Sequence, residues 1–242
     1  MTTRVPMLIV LAGGFGTRLQ SVVADQPKIL APIAGEPYLA HFLRWCSNNG
    51  IRRLHLCLGY RAAQVIAWLE QQPQQLQISW QVETTALGTG GALKLALQQA
   101  EWTEIAEGVL VCNGDTFVDF DLTTFVTTAR QVGGGMLTVQ VADASRFGRI
   151  QCDAKRNLSG FQEKRAITDA GAIAGEINAG WYFFGAAHID ELLARDLLSL
   201  EHDYLMAGEK PPISCIALGQ QFIDFGTPDS YQQAQAMFKD LT

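Results

Sequence analysis

Met7-Leu8-Ile9-Val10-Leu11-Ala12-Gly13-Gly14-Phe15-Gly16-Thr17-Arg18-Leu19 joins an unbroken apolar run to three glycines within four positions. A continuous apolar run bounded by glycine reads as a strand, Met7–Ala12, buried on both faces of a sheet. Three more such runs follow at Leu54–Leu58, Ile78–Val82 and Val109–Cys112, separated by helical periodicity over Tyr38–Asn48, Ala62–Gln71 and Gly91–Ala100. Strand, helix, strand in that order predicts a doubly wound α/β fold with a mainly parallel, Rossmann-like sheet and right-handed crossovers. Ligands of such sheets collect beyond the carboxyl ends of the strands, which selects the loops after Ala12, Val82 and Cys112.

The second half changes character. After a helix around Leu122–Gln131, shorter strands are expected at Met136–Val141, Arg149–Cys152, Leu158–Glu163, Ile177–Phe184 and Ile213–Leu218, with a short helix near His188–Leu193. This predicts an added, smaller and partly antiparallel sheet that supplies an acceptor pocket, with no linker before it, so that residues 1–242 form one domain. A last helix is expected from Pro228 to Leu241, with Thr227 as its N-cap and Pro228 at the favoured first position.

Composition narrows the classes of partner. With 48% hydrophobic and 17% charged residues among 242, the chain is an ordinary globular one, and its net charge of −6 speaks against a nucleic-acid partner. The run Met7–Ala12 is too short for a signal segment or a membrane-spanning helix of roughly 20 residues, so a cytoplasmic protein without a membrane partner is expected. The five cysteines, Cys46, Cys57, Cys112, Cys152 and Cys215, are widely spaced with no C-x-x-C pair, and read as buried free thiols.

Glycines let the main chain approach a ligand closely and aim N–H groups at phosphate oxygens, so Gly13, Gly14 and Gly16 suit a polyphosphate. Leu19 stands where a dinucleotide fingerprint needs its third glycine, and no G-x-x-x-x-G-K-[ST] occurs. Arg18 and Lys28 add a guanidinium that grips oxygens in pairs and a compact ammonium. On spacing alone, a glycine-rich turn followed by solvated charges competes with this reading. Asp115, just past the strand at Cys112, and Asp224, before Gly226, are two carboxylates of the kind a magnesium ion takes, although either is equally a turn former or helix cap.

The segment Leu11–Leu19, with Pro27-Lys28, Pro32-Ile33 and Glu36-Pro37-Tyr38-Leu39, resembles the signature of the sugar nucleotidyltransferase family. The resemblance continues through Leu87-Gly88-Thr89-Gly90-Gly91-Ala92, Asn113-Gly114-Asp115, Phe147-Gly148, Glu163-Lys164, Asn178-Ala179-Gly180 and Asp224-Phe225-Gly226-Thr227-Pro228. Within the family, the chain is most similar to the short bacterial D-glycero-α-D-manno-heptose 1-phosphate guanylyltransferases, which lack a C-terminal β-helix. Mannose-1-phosphate guanylyltransferases are similar in the same motifs.

The resemblance implies that residues 1–132 mainly bind a nucleoside triphosphate and residues 133–242 mainly the sugar 1-phosphate, these two small molecules being the expected partners. It implies nucleotide contacts from Leu11, Ala12, Gly13, Gly14, Gly16, Thr17, Glu83, Gly88 and Thr89. Sugar contacts are expected from Asn113, Gly148, Glu163, Lys164 and Asn178. Magnesium, with manganese as a substitute, would be held by Asp115 and Asp224. Arg18 would stabilise the departing pyrophosphate, Lys28 would bridge phosphates of both substrates, and Lys164 would hold the sugar phosphate. The four histidines match no family motif and read as structural or surface residues. Glu83 aligns with a position where uridylyl- and thymidylyl-transferring relatives tend to carry glutamine. A carboxylate accepts both adjacent donors of guanine, so GTP is the expected nucleotide, the competing reading being a solvated strand-end residue or a ribose contact. Uridylyl or thymidylyl transfer, and a regulator that binds without catalysis, remain alternatives, and the sequence leaves room for a homo-oligomer.

Overall fold

The computed structural model describes residues 4–19, 22–23, 25–73, 75–147, 149–162 and 173–240. In chain order these form β1 (Leu8–Ala12), a hairpin of β2 (Pro32–Ile33) and β3 (Glu36–Pro37), α1 (Tyr38–Asn48), β4 (Arg53–Leu58), α2 (Ala62–Glu70), β5 (Gln77–Val82), α3 (Gly88–Gln99) and a single turn α4 (Trp102–Ile105). There follow β6 (Val109–Asn113), β7 (Thr116–Asp119), α5 (Leu122–Val132), β8 (Gly134–Val141), β9 (Arg149–Cys152) and β10 (Leu158–Gln162). Last come β11 (Gly175–Phe184), α6 (Ala186–Ala194), a π-helix over Leu200–Leu205, β12 (Ser214–Ala217), β13 (Gln221–Asp224) and α7 (Pro228–Asp240).

Seven strands make one sheet in the order β12-β8-β11-β6-β1-β4-β5. β1 runs parallel to β4 and β6, β4 to β5, and β8 to β12, while β11 runs antiparallel to both β6 and β8. The sheet is therefore parallel but for one reversed strand. The added, partly antiparallel part continues the main sheet, because β11 hydrogen-bonds directly to β6. The strands outside it form the hairpins β2–β3 and β9–β10 and the antiparallel pair β7–β13.

Successive side chains of a strand point to opposite faces. Leu8 and Val10 of β1 join one apolar cluster with Tyr38 and Phe42 of α1, Val65 of α2, Phe125 of α5 and Phe238 of α7. Ile9 joins another with Leu93 and Leu97 of α3 and Ile189 and Leu192 of α6. Both faces are covered by helices, which is why the strand reads as continuously apolar. The strand at Ile78–Val82 departs from that pattern. β5 is the sheet edge, and Trp80 and Val82 are exposed on it while Gln81 is buried.

The chain order β1, β4, β5 runs one way along the sheet and β6 returns to the other side of β1. A crevice opens where the order reverses, between the ends of β1 and β6. α3 begins at Gly88 instead of Gly91, so the glycine-rich Gly88-Thr89-Gly90-Gly91 is the first turn of a helix aimed at this crevice. Thr227 behaves as expected at the start of α7, its Oγ1 accepting from Ser230 N at 3.3 Å. Four of the cysteine thiols are buried and Cys152 is half-buried, all free. Among the described residues, no helix is long and apolar enough to cross a membrane.

Candidate functional site

A cleft of about 410 Å³ lies at the carboxyl ends of the central strands. Leu11, Ala12, Gly13, Gly14 and Gly16 line it from the loop after β1, Glu83 from the end of β5, Gly88 and Thr89 from the start of α3, and Asn113 and Asp115 from the end of β6. Sequence reading had selected each of these. It missed Phe15, Ile29, Ala86, Ala92 and Gly114, small or apolar residues without a chemical signal of their own. The volume suits a nucleotide-sized ligand.

Gly16 has φ +58°, a left-handed conformation that lets the loop fold back beside the Lys28 side chain. Lys28 is nearly buried, with 12% of its side chain exposed. Its Nζ donates to Asp115 Oδ2 at 2.8 Å and to Asp224 Oδ1 at 3.5 Å, and lies 5.2 Å from the centre of the Phe225 ring. The two carboxylates are 109 residues apart in sequence but meet for a simple reason. β7 and β13 pair in antiparallel register with Asp224 opposite Thr116, the neighbour of Asp115. This ladder was not expected from the sequence, because each strand has only four residues.

Asp224 is held in place by the N–H of Gly226, which donates to its Oδ1 at 2.8 Å. A Cβ at Gly226 would lie 2.8 Å from that oxygen and 2.9 Å from Lys28 Nζ, so the position admits only glycine without displacing the charged group. Asp115 Oδ1 accepts from Thr116 Oγ1 at 3.3 Å.

Two hard-oxygen carboxylates beside one nearly buried ammonium are a donor set that suits magnesium, which takes one or two carboxylates and completes its shell with water and phosphate. No cluster of three or more candidate ligands exists among the described residues. The fit is thus to an ion that shares its oxygens with a substrate, not to a metal caged by protein alone.

The first turn of α3 carries the positive end of a helix dipole, which favours an anion. Of its backbone donors, Gly90 N–H goes to the Leu198 carbonyl at 2.9 Å, and Leu87 N–H to Glu83 Oε2 at 3.0 Å. The N–H groups of Gly88 and Thr89 have no partner among the described residues. Glu83 is thus oriented by α3, with its other oxygen over Gly13, where a Cβ would come within 2.9 Å.

Several expected residues stand apart. Thr17 and Arg18 are exposed outside the cleft lining, and no described residue pairs with Arg18. Gly148, Glu163 and Lys164 lie outside the described residues. Asn178, in β11, also lies outside the cleft lining, its Nδ2 donating to the Tyr182 hydroxyl and to Glu201 Oε1 and its Oδ1 accepting from Gly180 N. The histidines stay out of the cleft: His41, His55 and His188 are buried against other groups, and exposed His202 pairs with Asp203. Burial pushes the His55 and His188 imidazoles below their ordinary range, so both are held neutral.

The model of the family described as "Nucleotidyl transferase" matches residues 7–240. The D-glycero-alpha-D-manno-heptose 1-phosphate guanylyltransferase of Aneurinibacillus thermoaerophilus is 31% identical, over 94% of this chain and 96% of its own. That of Campylobacter jejuni is 28% identical, over 92% and 96%. The crystal structure of HddC from Yersinia pseudotuberculosis complexed with GMP-PN superposes with a TM-score of 0.83 at 29% identity, covering 97% of this chain and all of that one.

Proposed function

The chain belongs to the nucleotidyl transferase family, and on that premise we propose that it moves GMP from GTP to D-glycero-α-D-manno-heptose 1-phosphate, giving GDP-heptose and pyrophosphate. The observation that carries this is the meeting of Lys28 and Asp115, which line a glycine-rich cleft, with Asp224 beside them. The names and near full-length match of the two heptose 1-phosphate relatives support the choice of sugar and base.

An oxygen of the sugar phosphate attacks the α-phosphorus of the nucleotide in line, forming one P–O bond as the bond to the β-phosphate oxygen breaks. Pyrophosphate leaves with the electron pair. A sugar phosphate is already ionised near neutral pH, so no general base is needed, and none of the histidines lines the cleft. The chain's task is to bring two anions together, which requires positioning and charge neutralisation. Lys28 has three N–H donors; two face carboxylates and the third is left for a phosphate oxygen. The free N–H groups at the start of α3 and the glycine loop take phosphate oxygens on the nucleotide side. Asp115 and Asp224 would hold magnesium, which supplies further neutralisation of the phosphates.

The test is pyrophosphate release from each of the four nucleoside triphosphates against heptose, mannose, glucose and N-acetylglucosamine 1-phosphates. Turnover of GTP with heptose 1-phosphate above every other pair is the expected result. Preference for mannose 1-phosphate would move the chain to the neighbouring activity, and no release with any pair would overturn catalysis.

A further inference from the structure

The two edges of the main sheet are finished differently. At one edge β12 is covered by its own chain: Cys215 N donates to the Arg156 carbonyl at 2.7 Å, Leu158 N donates to the Ile213 carbonyl at 2.8 Å, and Asn157 bridges to Ser214. At the other edge β5 pairs with β4 and with no other described strand. Gln77 N donates to the Arg52 carbonyl at 2.9 Å and Glu83 N to the Leu58 carbonyl at 2.8 Å. Main-chain groups alternate sides along a strand, so Gln77, Ser79, Gln81 and Glu83 turn theirs toward β4. Ile78, Trp80 and Val82 therefore turn both N–H and C=O outward, and these groups have no partner among the described residues.

Native proteins blunt such an edge with charge, proline, a bulge or a covering segment. β5, Gln77-Ile78-Ser79-Trp80-Gln81-Val82, has no charged residue, proline or glycine, and its register with β4 is unbroken. Ile78, Trp80 and Val82 stand beside Leu54, Leu56 and Leu58 of β4 and so share their face of the sheet. Trp80 is 38% and Val82 47% exposed there, whereas Leu56 and Leu58 are buried. The outward main-chain groups and the uncovered apolar side chains thus belong to one short segment. Next to Ile78, Leu43, Trp68, Pro73 and Leu76 line a shallow groove of about 230 Å³.

We propose that β5 is the contact through which two copies of this chain associate about a two-fold axis. Symmetry selects the pairing. In a parallel ladder, a residue that turns its groups inward stands opposite one that turns them away, yet a two-fold pairing of parallel strands sets each residue opposite its own copy. Antiparallel pairing meets both conditions. Centred on Trp80, it places Trp80 opposite Trp80 of the second copy and Ile78 opposite Val82 of the second copy, and each pair exchanges both of its hydrogen bonds. All three outward residues are used, an aromatic pair forms at the centre, and Val82 of each copy comes to the rim of the other's groove. No charges meet along the strand. The two β5 strands run in opposite directions, so the two clefts lie at opposite ends of the joined sheet. The association is independent of the reaction proposed for the cleft.

The test is sedimentation equilibrium of wild type, Trp80→Lys, Trp80→Pro and Val132→Lys, each first shown to be folded by a cooperative thermal melt. Wild type is expected to have the mass of two chains at about 50 µM. Trp80→Lys sets like charges face to face at the axis and should raise the dissociation constant by at least about a hundredfold. Proline is tolerated in an edge strand where the N–H it removes faces outward, so Trp80→Pro should keep the pairing with β4 and lose the dimer. Val132 is as exposed as Trp80 but ends α5, and Val132→Lys should leave the mass unchanged. Amide exchange of wild type needs no substitution: between about 1 and 100 µM, Ile78, Trp80 and Val82 should slow by more than about tenfold and Ser79, already bonded to β4, by much less. A wild-type monomer at about 50 µM, a dimer that survives Trp80→Lys or dissociates equally with Val132→Lys, or exchange that does not alternate along β5 would overturn the proposal. So would a mass that climbs past two chains with concentration, the mark of an edge that adds strands without closing.

Discussion

The two sides of the cleft are built differently. The side proposed to take the nucleotide comes from loops that directly follow β1, β5 and β6 and from the first turn of α3, so its lining residues sit within a few positions of a strand end or a helix start. The charged cluster proposed to meet the acceptor is assembled at long range: Lys28 meets Asp224 across 196 residues. On that proposal the first side would rely on backbone N–H groups, which substitution hardly touches, and the second on single charged side chains. Point substitutions should therefore hurt most on the second side and at the junction of the two.

The strongest test of that contrast is Asp115→Asn and Asp224→Asn. Each keeps the shape and removes one charge of the pair, and each is expected to abolish turnover at ordinary magnesium, a loss of more than about a thousandfold in kcat. The double variant should be no worse than either single one, as a shared ion requires. Additive losses, measured by single-turnover kinetics, would separate the two residues.

Lys28→Ala comes next, with an expected loss of about a hundredfold in kcat/KM, because a cation between two anions stabilises their approach more than it stabilises either alone. Removing the ammonium also leaves Asp115 and Asp224 without their counter-charge. The melting temperature of this variant should rise with added magnesium more than that of wild type. An equal response in the two proteins would mean that the carboxylates do not gather a divalent ion.

Glu83→Gln tests whether the nucleotide side holds a base-reading side chain as well as backbone. The glutamine oxygen can keep the bond to Leu87 N, while its amino group presents a donor where Glu83 presents an acceptor. Use of GTP should fall by more than about tenfold, and the gap to UTP should narrow. An unchanged ratio of kcat/KM values would take Glu83 out of base reading.

The smallest effect lies outside the cleft. His188 is packed under Tyr204 and the Pro212 carbonyl, and its pKa is lowered by burial, an effect that Lys210 adds to and Glu191 opposes. Its folded-state pKa lies below the unfolded value near 6.5, so folding is fully favoured above that pH and loses stability as pH falls below it. Denaturant titrations at pH 7.5 and 5.5 should show wild type losing stability between them, and His188→Gln losing less. His55, buried neutral in the same way, sustains part of the loss in the variant. Activity measured at pH 7.5 should not change with pH sensitivity of this origin, since His188 lies outside the cleft lining.

Most of the cleft lining was legible because its signals are local. An apolar run, a turn of glycines and a following helix are consecutive in the chain, and the sheet rule places their junction at the ligand. The start of α3 was misjudged by three residues because glycine is a poor helix former, and here tertiary contact with Leu198 overrides that preference. The pair β7–β13 left no trace because four-residue strands are shorter than any periodicity needs to show itself.

The amino-acid sequence by itself determined the parallel core and the glycine-rich loop after its first strand, since each rests on a pattern of neighbouring residues, and it put Lys28, Asp115 and Asp224 forward only through a resemblance to the family. Only the tertiary structure decided that β11 reverses direction and joins the main sheet, that a cross-strand register sets Asp224 beside Asp115, and that the donors of Asn178 are spent on Tyr182 and Glu201. Those outcomes depend on pairings between segments tens to hundreds of residues apart. Such pairings are chosen by packing and hydrogen-bond completion over the whole molecule, and no local window of sequence contains both partners.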